Sequence, residues 1–139
     1  MFNEEEHRLL VAWACDCAGH VLPYFEKMYP QDQRPRHAIE AGRAWERGDL
    51  AMVEARKAAF ASHAAARAAT NAAARAAARA AGHAAATAHV ADHARHAAAY
   101  AVKAAAAGTT SASASAERDW QVRHLPESLR LVLFPASKR

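Results

Sequence analysis

Residues 72–107 read AAARAAARAAGHAAATAHVADHARHAAAYAVKAAAA, and their composition indicates helix. Alanine is the strongest helix former, because its methyl side chain loses no rotamer freedom in a helix. The same bias begins at residue 51, so propensity alone predicts helix over most of residues 51–107. Strands would need alternating β-branched and aromatic residues, and no stretch alternates for long enough. The sequence therefore predicts an all-α, single-domain bundle of about five to seven helices with an alanine-rich central pair.

The composition fits a small bundle of closely packed helices. Of the 139 residues, 42 are alanine and only 31 belong to the larger apolar types. Between residues 61 and 99 the only large apolar side chain is Val90. The helices of this region must therefore pack against large side chains of other helices. We expect the large rings that supply this bulk to be largely buried, namely Trp13, Trp45, Phe60 and Tyr100. The small-residue surface also leaves open a homodimer through the alanine-rich face.

Glycine, proline and capping residues set the expected helix boundaries. A first helix should begin near Glu4 and be bent or broken at Gly19 and Pro23. Asn71 predicts a break before the alanine-rich pair, because asparagine favours caps over helix interiors. Gly82 predicts a further break or kink within that pair.

The expected domain division is one main bundle followed by a docked tail. The main bundle covers residues 1–107, and the small polar residues 108–116 predict a loop. Residues 117–139 should form short helices, separated at Pro126, that dock on the bundle.

The composition also favours a cytoplasmic protein. No run of about 18 large apolar residues exists, so we expect no membrane-spanning segment and no membrane partner. The first residues, MFNEEEHR, are acidic where a signal peptide would be basic. Cys15 and Cys17 are too close to form a disulfide within one helix, which fits a reducing compartment.

The charge distribution does not predict a nucleic-acid site. The formal net charge is +4, and the basic surplus lies in the alanine-rich helices and the tail. Arg75 and Arg79 share a helix face, with Arg67 two turns earlier, but each stands alone among alanines. A phosphate-binding surface usually has denser charge with polar or aromatic neighbours. We therefore expect solubilising charges and no specific nucleic-acid partner.

Histidines and one aspartate form the first candidate site. On a regular helix, His89, His93, His96 and Tyr100 would share one face, with Asp92 at its margin. Imidazoles at i and i+4 can chelate a metal, but a single helix offers too few ligands. We therefore expect these histidines to serve a structural or interface role, with no metal or other cofactor assigned.

The first helix carries the second candidate site. Asp16 and His20 are four residues apart and can form a pair, while Cys15 and Cys17 point in nearly opposite directions and suit the core. We expect His89 to be partly buried against this helix, near Asp16 or His20, and His93 with it. An enzyme would need these groups to converge, and no catalytic residue is assigned.

Several strings of this chain, taken in order, resemble a known family. They are WACDCAGHVLPYFE, RPRHAIEAGRAWERG, AFASHAAAR and ARAAGHAAATAHVADHARHAAAYAVKA, with a weaker echo in ERDWQVRHLPESLRLVLFP. Together they resemble bacterial immunity proteins of the Imm5-like type. The resemblance implies an all-helical, non-catalytic protein that binds and neutralises a cognate toxin, and it supplies no binding residues.

Two other classes of function stay open beside this binding protein. One is an enzyme or metal-binding protein that uses the face of His89, Asp92 and His93. The other is a structural or oligomeric helical protein.

Overall fold

A computed structural model of the chain describes residues 2–108 and 111–134, and their side chains except at residues 111 and 112. Seven α-helices and no strand are present in these ranges, which confirms the all-α prediction. In chain order the helices are α1 (Glu4–Glu26), α2 (Arg34–Glu46), α3 (Met52–Ala68), α4 (Ala72–Ala86), α5 (His93–Gly108), α6 (Ser111–His124) and α7 (Glu127–Leu133). Within the described ranges, none of these helices combines the length and apolar character needed to cross a membrane.

Helix α1 begins at a complete capping box. The side chain of Asn3 accepts from the backbone N–H of Glu6 at 2.8 Å, and the side chain of Glu6 accepts from the N–H of Asn3 at 2.9 Å. The helix then continues through Gly19 and Pro23, so the predicted break there is wrong. A proline removes one backbone hydrogen bond, but the N–H of Lys27 donates to the carbonyl of Pro23 at 3.0 Å and the helical pattern resumes.

Helix α4 is the centre of the bundle and contacts α1, α2, α3 and α5. Ten of its residues are buried, and all are alanine or glycine. Asn71 caps it as predicted, accepting from the N–H of Ala74 at 2.9 Å. The helix passes through Gly82 without ending there, so the helix boundary predicted at this glycine is wrong. The helix ends at Ala86, and the turn to α5 follows.

Large side chains of α1 lie in the core of the bundle, where this helix contacts α2, α4 and α5. Trp13 is only 1% exposed, and its indole N–H donates to the carbonyl of Gln121 at 2.8 Å. Trp45 and Tyr100 are partly buried. Phe60 is 61% exposed, so its predicted burial is wrong. The alanines of α3 face the core instead, because they allow the backbones of α3 and α4 to come close.

The C-terminal helices dock on the bundle through leucines. Leu125, Leu129 and Leu133 are buried, and the side chain of Gln121 donates to the carbonyl of Ala98 at 2.8 Å. Pro126 separates α6 from α7 as predicted.

The predicted loop over residues 108–116 is too long, because α5 includes Gly108 and α6 already begins at Ser111. Serine and alanine are compatible with a helix, so a small polar composition did not prevent one. The end of the predicted tail, residues 135–139, lies outside the described residues.

Candidate functional site

Four imidazoles from three helices meet on one side of the bundle. His83 of α4 lies at the centre, with its ring centroid 4.9 Å from that of His63 in α3. The ring centroids of His93 and His96 in α5 each lie 5.1 Å from that of His83. Tyr100 stacks on His83 with 5.3 Å between centroids and 8° between ring planes. We call these five side chains the histidine cluster.

Two hydrogen bonds limit the protonation states that the imidazoles of the histidine cluster can have. Nδ1 of His83 lies 2.9 Å from Nδ1 of His93, so one of these imidazoles donates and the other is a neutral acceptor. Arg79 donates from NH1 to Nδ1 of His63 at 2.9 Å. Because a guanidinium only donates, Nδ1 of His63 accepts, and the ring proton sits on Nε2 of a neutral imidazole.

Burial and neighbouring charge oppose protonation of the histidine cluster. Desolvation, followed by the charges of His63 and His93, lowers the pKa of His83 to about 3. Desolvation and the charges of Arg79 and Arg67 lower the pKa of His63 to about 4. The pKa of His93 is also lowered, mainly by desolvation. These three imidazoles are therefore neutral at pH 7.

A glycine makes room for the cluster. A Cβ atom placed on Gly82 would lie 2.7 Å from both Cε1 and Nε2 of His63, so the ring of α3 packs directly on the backbone of α4. Sequence reasoning missed His63 and Arg79. The available signal was the pair Gly82-His83, because a glycine within a stable helix often marks a close approach by another side chain.

The face predicted from HVADHARH is only partly formed. His93 and His96 join the histidine cluster, but His89 is exposed in the turn before α5. Asp92 accepts from Nε of Arg95 at 2.8 Å and lies on the surface. The expected approach of His89 and His93 to α1 is wrong. The helix that would have aligned these residues begins only at His93, so the i, i+4 relation was never formed.

The candidate residues of α1 have partners from other helices. Asp16 forms an ion pair with Arg43 at 3.0 Å, and His20 pairs with the buried Glu117 at 2.8 Å. The ring of His20 also stacks on Trp120, with 3.9 Å between centroids. The predicted pair between Asp16 and His20 is therefore replaced by contacts with α2 and α6, which no pattern within α1 could reveal.

Exposed apolar side chains lie beside the histidine cluster. Phe60 of α3 and Val90 of the turn before α5 are exposed, and Val53 is two helical turns before Phe60 on the same face of α3. The guanidinium carbon of Arg56 lies 5.5 Å from the centre of the Phe60 ring. Phe60, Arg56 and His89 help to line a cavity of about 270 Å³. We call Val53, Arg56 and Phe60, which share a face of α3, the apolar patch.

Comparison with known proteins gives one family. The family model described as Imm-5 like putative immunity protein matches residues 1–128. The chain belongs to this family. No curated protein and no solved structure matches this Imm-5 like chain. The resemblance found in the sequence is thereby confirmed at the level of the family.

The two cysteines of this Imm-5 like protein are core residues. Both are free and buried, and the thiol of Cys15 lies 3.6 Å from the carbonyl of Ile39. Burial raises the pKa of Cys15 to about 12 and that of Cys17 well above its ordinary value. Neither thiol is suited to be a nucleophile at neutral pH.

The histidine cluster is not arranged as a set of metal ligands. In the part of the chain that the structure describes, no three His, Cys, Asp or Glu side chains could together hold a metal ion. His83 and His93 turn their Nδ1 atoms toward each other, and the cation of Arg79 is bound to His63. The arrangement is that of a hydrogen-bonded polar seam between helices.

Proposed function

We propose that this protein binds a cognate bacterial toxin and neutralises it without catalysing a reaction itself. The observation that carries this proposal is the family match over residues 1–128. The toxin is a protein partner that the name of the family implies. We further propose that neutralisation takes place in the cytoplasm and that the apolar patch belongs to the binding surface.

The composition of the apolar patch supports binding of a protein. Interface hot spots are enriched in aromatic residues and arginine, and Phe60 with Arg56 stacked on its ring presents both at the surface. Val53 adds exposed aliphatic area on the same face of α3, and the cavity lined in part by Phe60 and Arg56 offers space for a partner side chain. Clustered exposed apolar side chains of this kind mark interaction sites.

The geometry of the candidate catalytic groups favours binding over catalysis. Asp16 and His20 lie in separate pairs with α2 and α6, away from the partners of His93. Asp92 pairs with Arg95 on the surface. The converging set that an enzyme would need from these predicted residues is therefore not formed. A homodimer through the alanine-rich face stays a prediction, although the alanines of α4 are mostly buried within the chain itself.

Co-expression with a toxin whose gene lies beside the gene of this protein tests the proposal. Wild-type protein should restore growth of cells that make the toxin, and the purified pair should form a stoichiometric complex. Failure to restore growth would contradict the proposal. Neutralisation by far less than one equivalent of protein would contradict its non-catalytic part.

A matched pair of variants tests the apolar patch. Phe60→Ala should weaken toxin binding about tenfold or more, because an anchoring aromatic side chain is typically worth about 2 kcal/mol or more. Leu131→Ala removes another large side chain, 69% exposed on α7, and should leave affinity unchanged. Equal affinity of the two variants for the toxin would show that the patch is not part of the interface. Circular dichroism of both variants confirms that each is folded.

A further inference from the structure

A groove lined by basic residues runs between α4 and α5, next to the histidine cluster. It has a volume of about 410 Å³. Its charged and aromatic lining comes from Arg75 and Arg79 of α4 and from Tyr100 and Lys103 of α5, and the rest of the lining is alanine. We call this the basic groove.

The cations of the basic groove have no acidic partners within the described residues. Neither Arg75, Arg79 nor Lys103 has a carboxylate within 4.0 Å there, and no acidic residue lines the groove. The arginines of α2 differ, since Arg36 pairs with Glu26 at 2.7 Å and Arg43 pairs with Asp16 at 3.0 Å. The basic groove thus concentrates three unneutralised positive charges on one concave surface.

The chain itself holds these cations in position. Arg75 donates from Nε and NH2 to the carbonyl of Ala69 at 3.1 and 2.7 Å. Arg79 is held by Nδ1 of His63 at 2.9 Å. Lys103 places its ammonium 5.2 Å from the centre of the Tyr100 ring. Side chains that are already ordered lose less conformational entropy when they bind an anion.

We propose that the basic groove binds an acidic segment of the toxin, through carboxylates that pair with Arg75, Arg79 and Lys103. This inference rests on the proposed function, because it names the chemistry of the partner surface. Charge complementarity is the reason for an acidic occupant, since positive surfaces on one partner meet negative surfaces on the other. The concave shape and the floor of alanine methyl groups suit side chains that enter a recess.

A duplex nucleic acid fits the basic groove less well. Duplex binding needs many cations spread along a surface that follows the phosphates, and its affinity comes from the counterions that they release. Three cations within one recess provide few phosphate contacts. The groove also offers no asparagine or glutamine side chain for base edges.

The first experiment measures binding of a fluorescein-labelled octaglutamate peptide by anisotropy, in salt of about 0.1 M where exposed charges are only partly screened. Arg75→Gln, Arg79→Gln and Lys103→Gln should each weaken binding about three- to fivefold, and the triple variant about 20-fold or more. Arg123→Gln is the matched control, because it removes one positive charge from an exposed position of α6 outside the groove. It should change affinity less than about twofold.

Lys103→Gln keeps the test independent of folding, because the ammonium contacts a ring face and holds no backbone group. No peptide binding by the wild type, or equal loss in Arg123→Gln and Lys103→Gln, would overturn the inference. Tighter binding of a 20-base-pair DNA duplex through the same residues would also overturn it.

The growth assay with the toxin separates this inference from the proposed function. If the triple variant loses protection while Arg123→Gln keeps it, the basic groove is the toxin surface. If the triple variant protects as well as the wild type, the groove inference fails and the proposed function stands. If wild-type protein gives no protection, the proposed function fails. The groove inference then fails as well, because its occupant is a segment of the toxin.

Discussion

Acidification should destabilise this protein through the histidine cluster. In the unfolded chain His83 and His63 titrate near 6.5, whereas in the folded chain the pKa of His83 is about 3 and that of His63 about 4. As the pH falls below 6.5, these imidazoles therefore bind protons in the unfolded state but stay neutral in the folded state. The stability associated with neutral imidazoles is complete above pH 6.5 and is lost progressively as the pH approaches the folded pKa values.

The size of the effect follows from the pKa difference and the burial of the rings. Between pH 7.5 and pH 5.0, each fully shifted imidazole would lower the free energy of unfolding by at most about 2 kcal/mol. His63 and His83 are half-buried, so solvent screens part of this penalty. We therefore expect a loss of about 1 kcal/mol for each ring and about 2 kcal/mol for the pair.

The variant His83→Gln tests whether the cluster is the source of this pH dependence. Its loss of unfolding free energy from pH 7.5 to pH 5.0 should be smaller than that of the wild type by about 1 kcal/mol or more, because the central imidazole and its repulsion of His63 and His93 are gone. Urea denaturation followed by circular dichroism at both pH values gives these free energies. His37→Gln, which removes an exposed imidazole outside the cluster, is the matched control. Equal losses in the wild type and His83→Gln, or a wild type more stable at pH 5.0, would refute this reasoning.

Two further predictions concern the core. A Cβ atom at Gly42 would lie 2.7 Å from Sγ of Cys15, so Gly42→Ala should lower the free energy of unfolding by about 2 kcal/mol. Adding Cys15→Ala should restore at least half of that loss in urea denaturation, and a double variant no more stable than Gly42→Ala would contradict the packing. Burial raises the pKa of Cys15 to about 12 and also raises that of Cys17, so native protein should react with iodoacetamide about 100-fold more slowly than protein in denaturant. Rapid labelling of the native protein at pH 8 would show that the thiols are accessible.

The fold class and several helix boundaries could be predicted from the sequence alone, because they depend on local preferences. Alanine favours the helix over most of residues 72–107, whatever surrounds it. Asn71 accepts a hydrogen bond from an N–H only three residues ahead, and Pro126 interrupts its own segment. The family resemblance also belongs to the sequence, since it depends on the order of strings along the chain.

Helix boundaries predicted from glycine and proline were wrong where the packing of the helix outweighed the local effect of these residues. Gly19 and Pro23 both disfavour helix, but burial of the face of α1 that carries Trp13 and Phe25 outweighs their cost and keeps the helix unbroken. Considered alone, Gly82 predicts the end of a helix. In the structure it lies within the helix, and the absence of a Cβ atom leaves room for the ring of His63.

Which polar residues meet could not be predicted from the sequence, because this depends on how the helices pack. His63 and His83 are 20 residues apart and on different helices, and His20 finds Glu117 nearly 100 residues away. The basic groove likewise exists only because α4 and α5 lie side by side and bring Lys103 to the arginines of α4. Helix propensity acts within one turn of the chain, whereas these contacts depend on how helices pack and rotate against one another. In a bundle whose central helix is almost all alanine, no stripe of large side chains in the sequence specifies that rotation, so the pairing of the helices had to come from the fold.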